Sequence, residues 1–142
     1  MNANRQGIAI WLRKADNDWL NVQNNLASAR IPWDTVCFHA QQTIEKMLKA
    51  LLVHGGVVPP RVHDLLRLLD AIPAEPTAWA YWRADCQMLN DFAVLSRYDG
   101  ADPKPAAARA IIKRAGLMRT AILDRIEEKP AAKTVATGSG EL

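Results

Sequence analysis

The stretch Asp34-Thr35-Val36-Cys37-Phe38-His39-Ala40-Gln41-Gln42-Thr43-Ile44-Glu45-Lys46-Met47-Leu48-Lys49-Ala50-Leu51-Leu52 decides the fold. Cys37, Ala40, Ile44, Met47 and Leu51 recur at alternating three- and four-residue steps, the signature of one apolar seam on a helix packed among neighbours. Away from that seam lie His39, Gln42, Glu45, Lys46 and Lys49, of which Gln42, Glu45 and Lys49 share a side of the helix. Two readings of this strip stand side by side. It is a solvated face with a Glu45–Lys49 pair worth a few tenths of a kcal/mol, or it is one wall of a site.

Working outward, an upstream helix is expected from about Arg5 to Ala29, with Ile8, Leu12, Ala15, Trp19, Val22 and Leu26 on its seam and Arg13, Lys14, Asp16, Asn17 and Asn21 opposite. Arg30-Ile31-Pro32-Trp33 ends it, because a residue before proline avoids the helical region. The central helix is expected to stop at Gly55-Gly56, where a glycine takes the left-handed closing conformation. Downstream, a short helix is predicted from about Val62 to Ile72, then a longer one from Thr77 to Ser96. The seam of the longer one carries Trp79, Trp82, Cys86, Leu89 and Ala93, widened by Met88, Phe92 and Leu95. A last helix from Pro103 or Pro105 to Glu127 buries Ile111, Ala115, Met118, Ile122 and Ile126, and Gly116 inside it marks close packing. No strand alternation or repeat occurs. The expected fold is all-α, an up-and-down bundle of four long helices plus one short helix over residues 1–128, followed by a flexible tail at 129–142.

With 142 residues, one domain with a sizeable core fits better than two. A formal charge of +3 is too weak to imply a duplex-binding surface but admits an anionic ligand. Cys37 and Cys86 fall on apolar seams, as small core hydrophobes do, and no CxxC, Cys/His cluster or HExxH spacing supports a zinc site. No metal and no cofactor are expected. Without a membrane-spanning apolar run or a targeting segment, the expectation is a cytoplasmic protein with reduced thiols.

Two polar clusters stand at helix ends. Pro60-Arg61-Val62-His63-Asp64 opens the short helix, where free amides, Arg61 and His63 suit a phosphate; alternatively Asp64 only complements the helix dipole. Ser96-Arg97-Tyr98-Asp99 closes the fourth helix, where Arg97 either completes the helix carbonyls or grips an anion, with Tyr98 offering a ring to a base or ribose. No phosphate loop, GxSxG elbow or two-metal acidic cluster is present, so any catalysis would use His, Arg, Lys, Glu or Tyr without a metal. Nothing in the residues requires catalysis.

Taken in order, Ala40-Gln41-Gln42 with Glu45-Lys46 and Lys49-Ala50-Leu51-Leu52, then Pro60-Arg61-Val62-His63-Asp64-Leu65, then Ser96-Arg97-Tyr98 resemble the HEPN family, the higher eukaryotes and prokaryotes nucleotide-binding domain, over roughly Ile8 to Ile126. The resemblance implies a helical bundle, usually a homodimer, often paired with a small nucleotidyltransferase in a toxin–antitoxin-like arrangement. It points to Gln42, Glu45, Lys46, Lys49, His63, Asp64, Arg97 and Tyr98 as the ligand-binding set, for a nucleotide, a phosphate-bearing ligand or RNA. In that set Lys46, Lys49 and Arg97 would neutralise phosphate, His63 and Gln42 would donate hydrogen bonds, and Glu45 would orient a lysine or accept from a ribose hydroxyl. Ribonuclease members carry an Arg followed after four to six residues by His. Here the nearest approach, Arg30 to His39, has eight intervening residues and crosses a helix boundary. Val62 and Asp99 also stand where the family often has Thr and Pro. The leading expectation is therefore a non-catalytic binding module. The alternatives are a metal-independent ribonuclease toxin using His63 or His39 with Arg97, and a structural interaction protein whose polar motifs only cross-link helices.

Overall fold

The computed structural model describes residues 2–73, 79–98 and 102–128, apart from the side chains of residues 2, 3 and 95–98. Within them lie α1 (Asn2–Leu26), α2 (Trp33–His54), α3 (Leu65–Asp70), α4 (Arg83–Tyr98) and α5 (Pro105–Glu127), an all-α helical bundle of four long helices and one short one. The proposed tail lies outside the described residues.

Helix α2 is the hub and packs against each of the other four. Its whole predicted seam is buried, and Val36, Leu48, Ala50 and Leu52 add to it, so this helix is covered on more sides than a surface helix. It ends as the Gly-Gly pair suggested. Gly56 takes φ +82, its N–H reaches Val53 O at 3.0 Å, and Val57 N–H closes back on Leu52 O at 2.8 Å, a Schellman ending.

The first helix starts earlier and stops earlier than its apolar spacing indicates. Ser28 Oγ lies 2.8 Å from the carbonyl oxygens of both Asn25 and Arg30, to either of which its one O–H can donate, and this turn replaces the last helical residues. The short helix begins at Leu65 rather than near Val62, because Asp64 sits extended as its N-cap and accepts from Leu66 N–H at 2.9 Å. Helix α4 begins at Arg83, with Trp79 in a separate turn whose carbonyl receives Trp82 N–H at 3.0 Å. Residues 74–78, which held the predicted start of that helix, lie outside the described residues.

Met88, expected to widen the buried stripe of α4, is instead 49% exposed. Cys86, Leu89 and Ala93 already fill the interface, and Met88 falls about 100° round the helix from Leu89. Gly116 does mark a close approach. A Cβ there would meet Trp19 Cζ2 at 3.3 Å, so α1 lays an indole on the bare backbone of α5.

Both thiols are buried and free, and burial pushes Cys37 and Cys86 up from 9.0 to about 12, with Asp34 and Asp85 respectively adding to the effect. An unfolded chain ionises these thiols near their ordinary value, whereas the folded chain keeps the protons. Their contribution to stability is therefore complete below pH 9.0 and is lost as pH rises through about 12. Urea titrations of wild type and a Cys37→Ala/Cys86→Ala variant should show their stability difference shifting across that window. A constant difference would contradict the assignment.

Candidate functional site

Two polar knots sit on α2, and both reach residues distant in sequence. In the first, Asp18 of α1, only 8% exposed, faces α2. Its Oδ1 meets His39 Nδ1 at 2.8 Å and its Oδ2 receives the Lys46 ammonium, so one carboxylate pins two groups of α2 to α1.

The second knot is centred on Glu45, which is 3% exposed. Its Oε2 accepts from Lys49 Nζ at 3.0 Å, and its Oε1 accepts from Gln42 Nε2 at 3.1 Å and from His63 Nδ1 at 3.0 Å. Lys49 is itself 6% exposed, with its ammonium 5.2 Å from the centre of the Trp11 ring. The solvated-face reading of this strip is thus overturned for Glu45 and Lys49. Helix α1 covers the side of α2 that a lone amphipathic helix would leave to water.

Around this pair runs a relay of carboxamides. Gln42 Nε2 also donates to Gln41 Oε1 at 2.9 Å, and Gln41 Nε2 donates to the His63 carbonyl at 2.9 Å and to Asn90 Oδ1 at 3.3 Å. Asn90 Oδ1 further accepts from Leu65 N–H at 3.2 Å, while its Nδ2 donates to Asp64 Oδ1 at 2.8 Å. The amides of Leu65 and Leu66 at the start of α3 are therefore already bonded, by Asn90 and Asp64. Asp64 serves the helix directly, and the picture of free amides awaiting a phosphate there is corrected.

His63 is held differently from its neighbours. Its side chain is 82% exposed, yet one edge rests on the buried Glu45. A carboxylate only accepts, so Nδ1 carries a hydrogen, and Nε2 is presented outward, where it accepts whenever the ring is neutral. Beside it, a cleft of about 660 Å³ opens between α2, the start of α3, and α4. Phe38 and Val94 supply apolar wall, and Gln42, His63 and Asn90 supply polar wall. Such a volume suits a nucleoside-sized ligand.

The structure thus gathers Gln42, Glu45, Lys49, His63 and Asp64 into one network and turns Lys46 towards Asp18, with its ammonium also 3.5 Å from Gln42 Oε1. Lys49 is occupied by Glu45 rather than facing the cleft. Arg97 and Tyr98 occupy the last turn of α4, the turn after Val94, and their side chains lie outside the described residues. Sequence reading missed Asp18 and Asn90, and it gave Gln41 no role in the site. Each left a detectable signal: a polar residue on the spacing of an apolar seam, Asp18 between Ala15 and Val22, Gln41 between Cys37 and Ile44, Asn90 between Cys86 and Ala93.

No helix among the described residues is long and apolar enough to cross a membrane. A family model described as HEPN domain matches residues 8–126. The crystal structure of TT1696 from Thermus thermophilus is similar to this chain, with 28% identity and a TM-score of 0.65 over 90% of this chain and 98% of that one. No match was found among curated proteins.

Proposed function

The chain belongs to the HEPN domain family, and from that premise we propose that it is a nucleotide-binding module acting as a homodimer with a small nucleotidyltransferase partner, in a toxin–antitoxin-like pair. The observation that carries the ligand half is the cleft of about 660 Å³ beside an exposed imidazole whose orientation is fixed by a buried carboxylate. A mobile surface histidine would lose more freedom on binding; one already oriented loses less. The base and ribose occupy the cleft, with Gln42 and His63 facing the ribose. The phosphate points towards the end of α4, where Arg97 is the proposed counter-charge.

Replacing His63 by alanine tests this directly. Calorimetric titration with nucleoside monophosphates should show affinity falling about ten-fold or more, while the melting temperature stays nearly unchanged because the side chain is mostly exposed. Undiminished affinity would remove His63 from the site. Co-purification of the tagged chain from its native cells tests the partner half, and recovery of no nucleotidyltransferase would count against it.

A second reading, metal-independent RNA cleavage, draws on the same geometry. A carboxylate-held imidazole with a free Nε2 is equipped to accept the 2′-hydroxyl proton of RNA. It requires that expression arrest growth and that His63→Ala relieve the arrest.

A further inference from the structure

The polar atoms left open in the cleft are mostly acceptors. Asp64 Oδ1 is occupied by Leu66 N–H and Asn90 Nδ2, and Asp91 Oδ1 by Gln87 Nε2 at 2.9 Å. Among the described residues, no hydrogen bond engages Asp64 Oδ2, Asp91 Oδ2, Gln87 Oε1 or His63 Nε2, and all four residues line the cleft. The carboxylate and carboxamide oxygens accept, as does Nε2 of a neutral His63 ring; the open donors beside them are the second N–H of Asn90 Nδ2 and the second N–H of Gln87 Nε2. No lysine or arginine lines the cleft among the described residues, and its two carboxylates oppose a phosphate entering it.

Resting on the nucleotide reading above, we infer that the cleft takes the base end of a guanine nucleotide, with the Asp91 carboxylate accepting from the ring N1–H and the 2-amino group. Guanine places two donors side by side on its pairing edge and an acceptor, O6, next to them. A carboxylate can receive both donors at once, and the spare Asn90 N–H suits O6. Adenine offers an amino group beside a ring acceptor, and uracil a single donor between two acceptors, so neither presents the two adjacent donors that the Asp91 carboxylate can receive. Phe38 and Val94 provide apolar contact for the faces of the base. The ribose hydroxyls are then the donors for His63 Nε2. The phosphate remains outside the carboxylate-lined wall.

The test is a calorimetric titration of the full chain with guanosine, inosine and adenosine monophosphates, since inosine differs from guanosine only by lacking the 2-amino group. Guanosine monophosphate should bind about ten-fold more tightly than either of the others. Asp91→Asn, an exposed substitution that preserves shape and an acceptor for Gln87, should bring guanosine down to the affinity of inosine. Equal affinities for all three nucleotides, or an Asp91→Asn variant that still prefers guanosine, would overturn the inference while leaving the nucleotide reading intact. Absence of binding by all three, with the protein folded, would overturn both. Displacement of guanosine monophosphate by free argininamide at comparable concentration would reassign the acceptor wall to a protein guanidinium and overturn the guanine assignment alone.

Discussion

Glu45→Ala should lower stability by about 3 kcal/mol, the loss typical of removing one member of a buried ion pair. The variant leaves the Lys49 ammonium, 6% exposed, without its carboxylate, and strips His63 Nδ1 and Gln42 Nε2 of a shared acceptor. For a chain of this length the melting temperature should drop by roughly 10 °C, read by circular dichroism. The same variant should weaken nucleotide binding, because the imidazole loses its fixed tautomer. A Glu45→Leu/Lys49→Met double variant separates the two effects. Apolar replacement of both charges should restore most of the stability and none of the binding. A single variant melting within about 2 °C of wild type would show that the pair carries no structural load.

Asn90→Ala should cost about 2 kcal/mol, since it removes a side chain that hydrogen-bonds α4 to Gln41 of α2 and to the start of α3. Gln41 Nε2 and Leu65 N–H lose an acceptor, and Asp64 loses a donor. Asn90→Asp sharpens the prediction. It keeps the acceptor but sets a second carboxylate against Asp64 Oδ1, now 2.8 Å from Asn90 Nδ2. Its stability deficit should therefore be largest at neutral pH and shrink as the carboxylates are protonated in acid. Denaturation curves at pH 7 and pH 4 would show this, and a deficit independent of pH would mean that the two groups simply move apart.

Glu45 and Asn90 differ in how far the sequence alone discloses them. Glu45 and Lys49 were visible as an i, i+4 pair beside an apolar seam, but their burial was not, because helical spacing gives a direction and not what lies in that direction. Only the placement of α1 and the Trp11 ring over α2 separates a surface pair from an enclosed one. Asn90 and Asp18 were hidden for a related reason. Both occupy seam positions where an apolar residue is the default, and their partners lie 21 to 49 residues away. The pairing of Asp64 with its own helix start, by contrast, was among the readings its position allowed from the outset.

By itself, the sequence determined the all-α class, the number of helices, the central position of the Asp34–Leu52 segment and the family, because apolar periodicity and ordered motifs are local properties of the chain. Tertiary structure alone decided which of the polar residues meet. It turned Lys46 to Asp18 and Lys49 to Glu45, held the His63 imidazole against a carboxylate 18 residues before it, and left a cleft whose open atoms are mostly acceptors. Hydrogen bonds and ion pairs depend on distance and angle in space to within fractions of an ångström. Those quantities are fixed only when several helices pack at once.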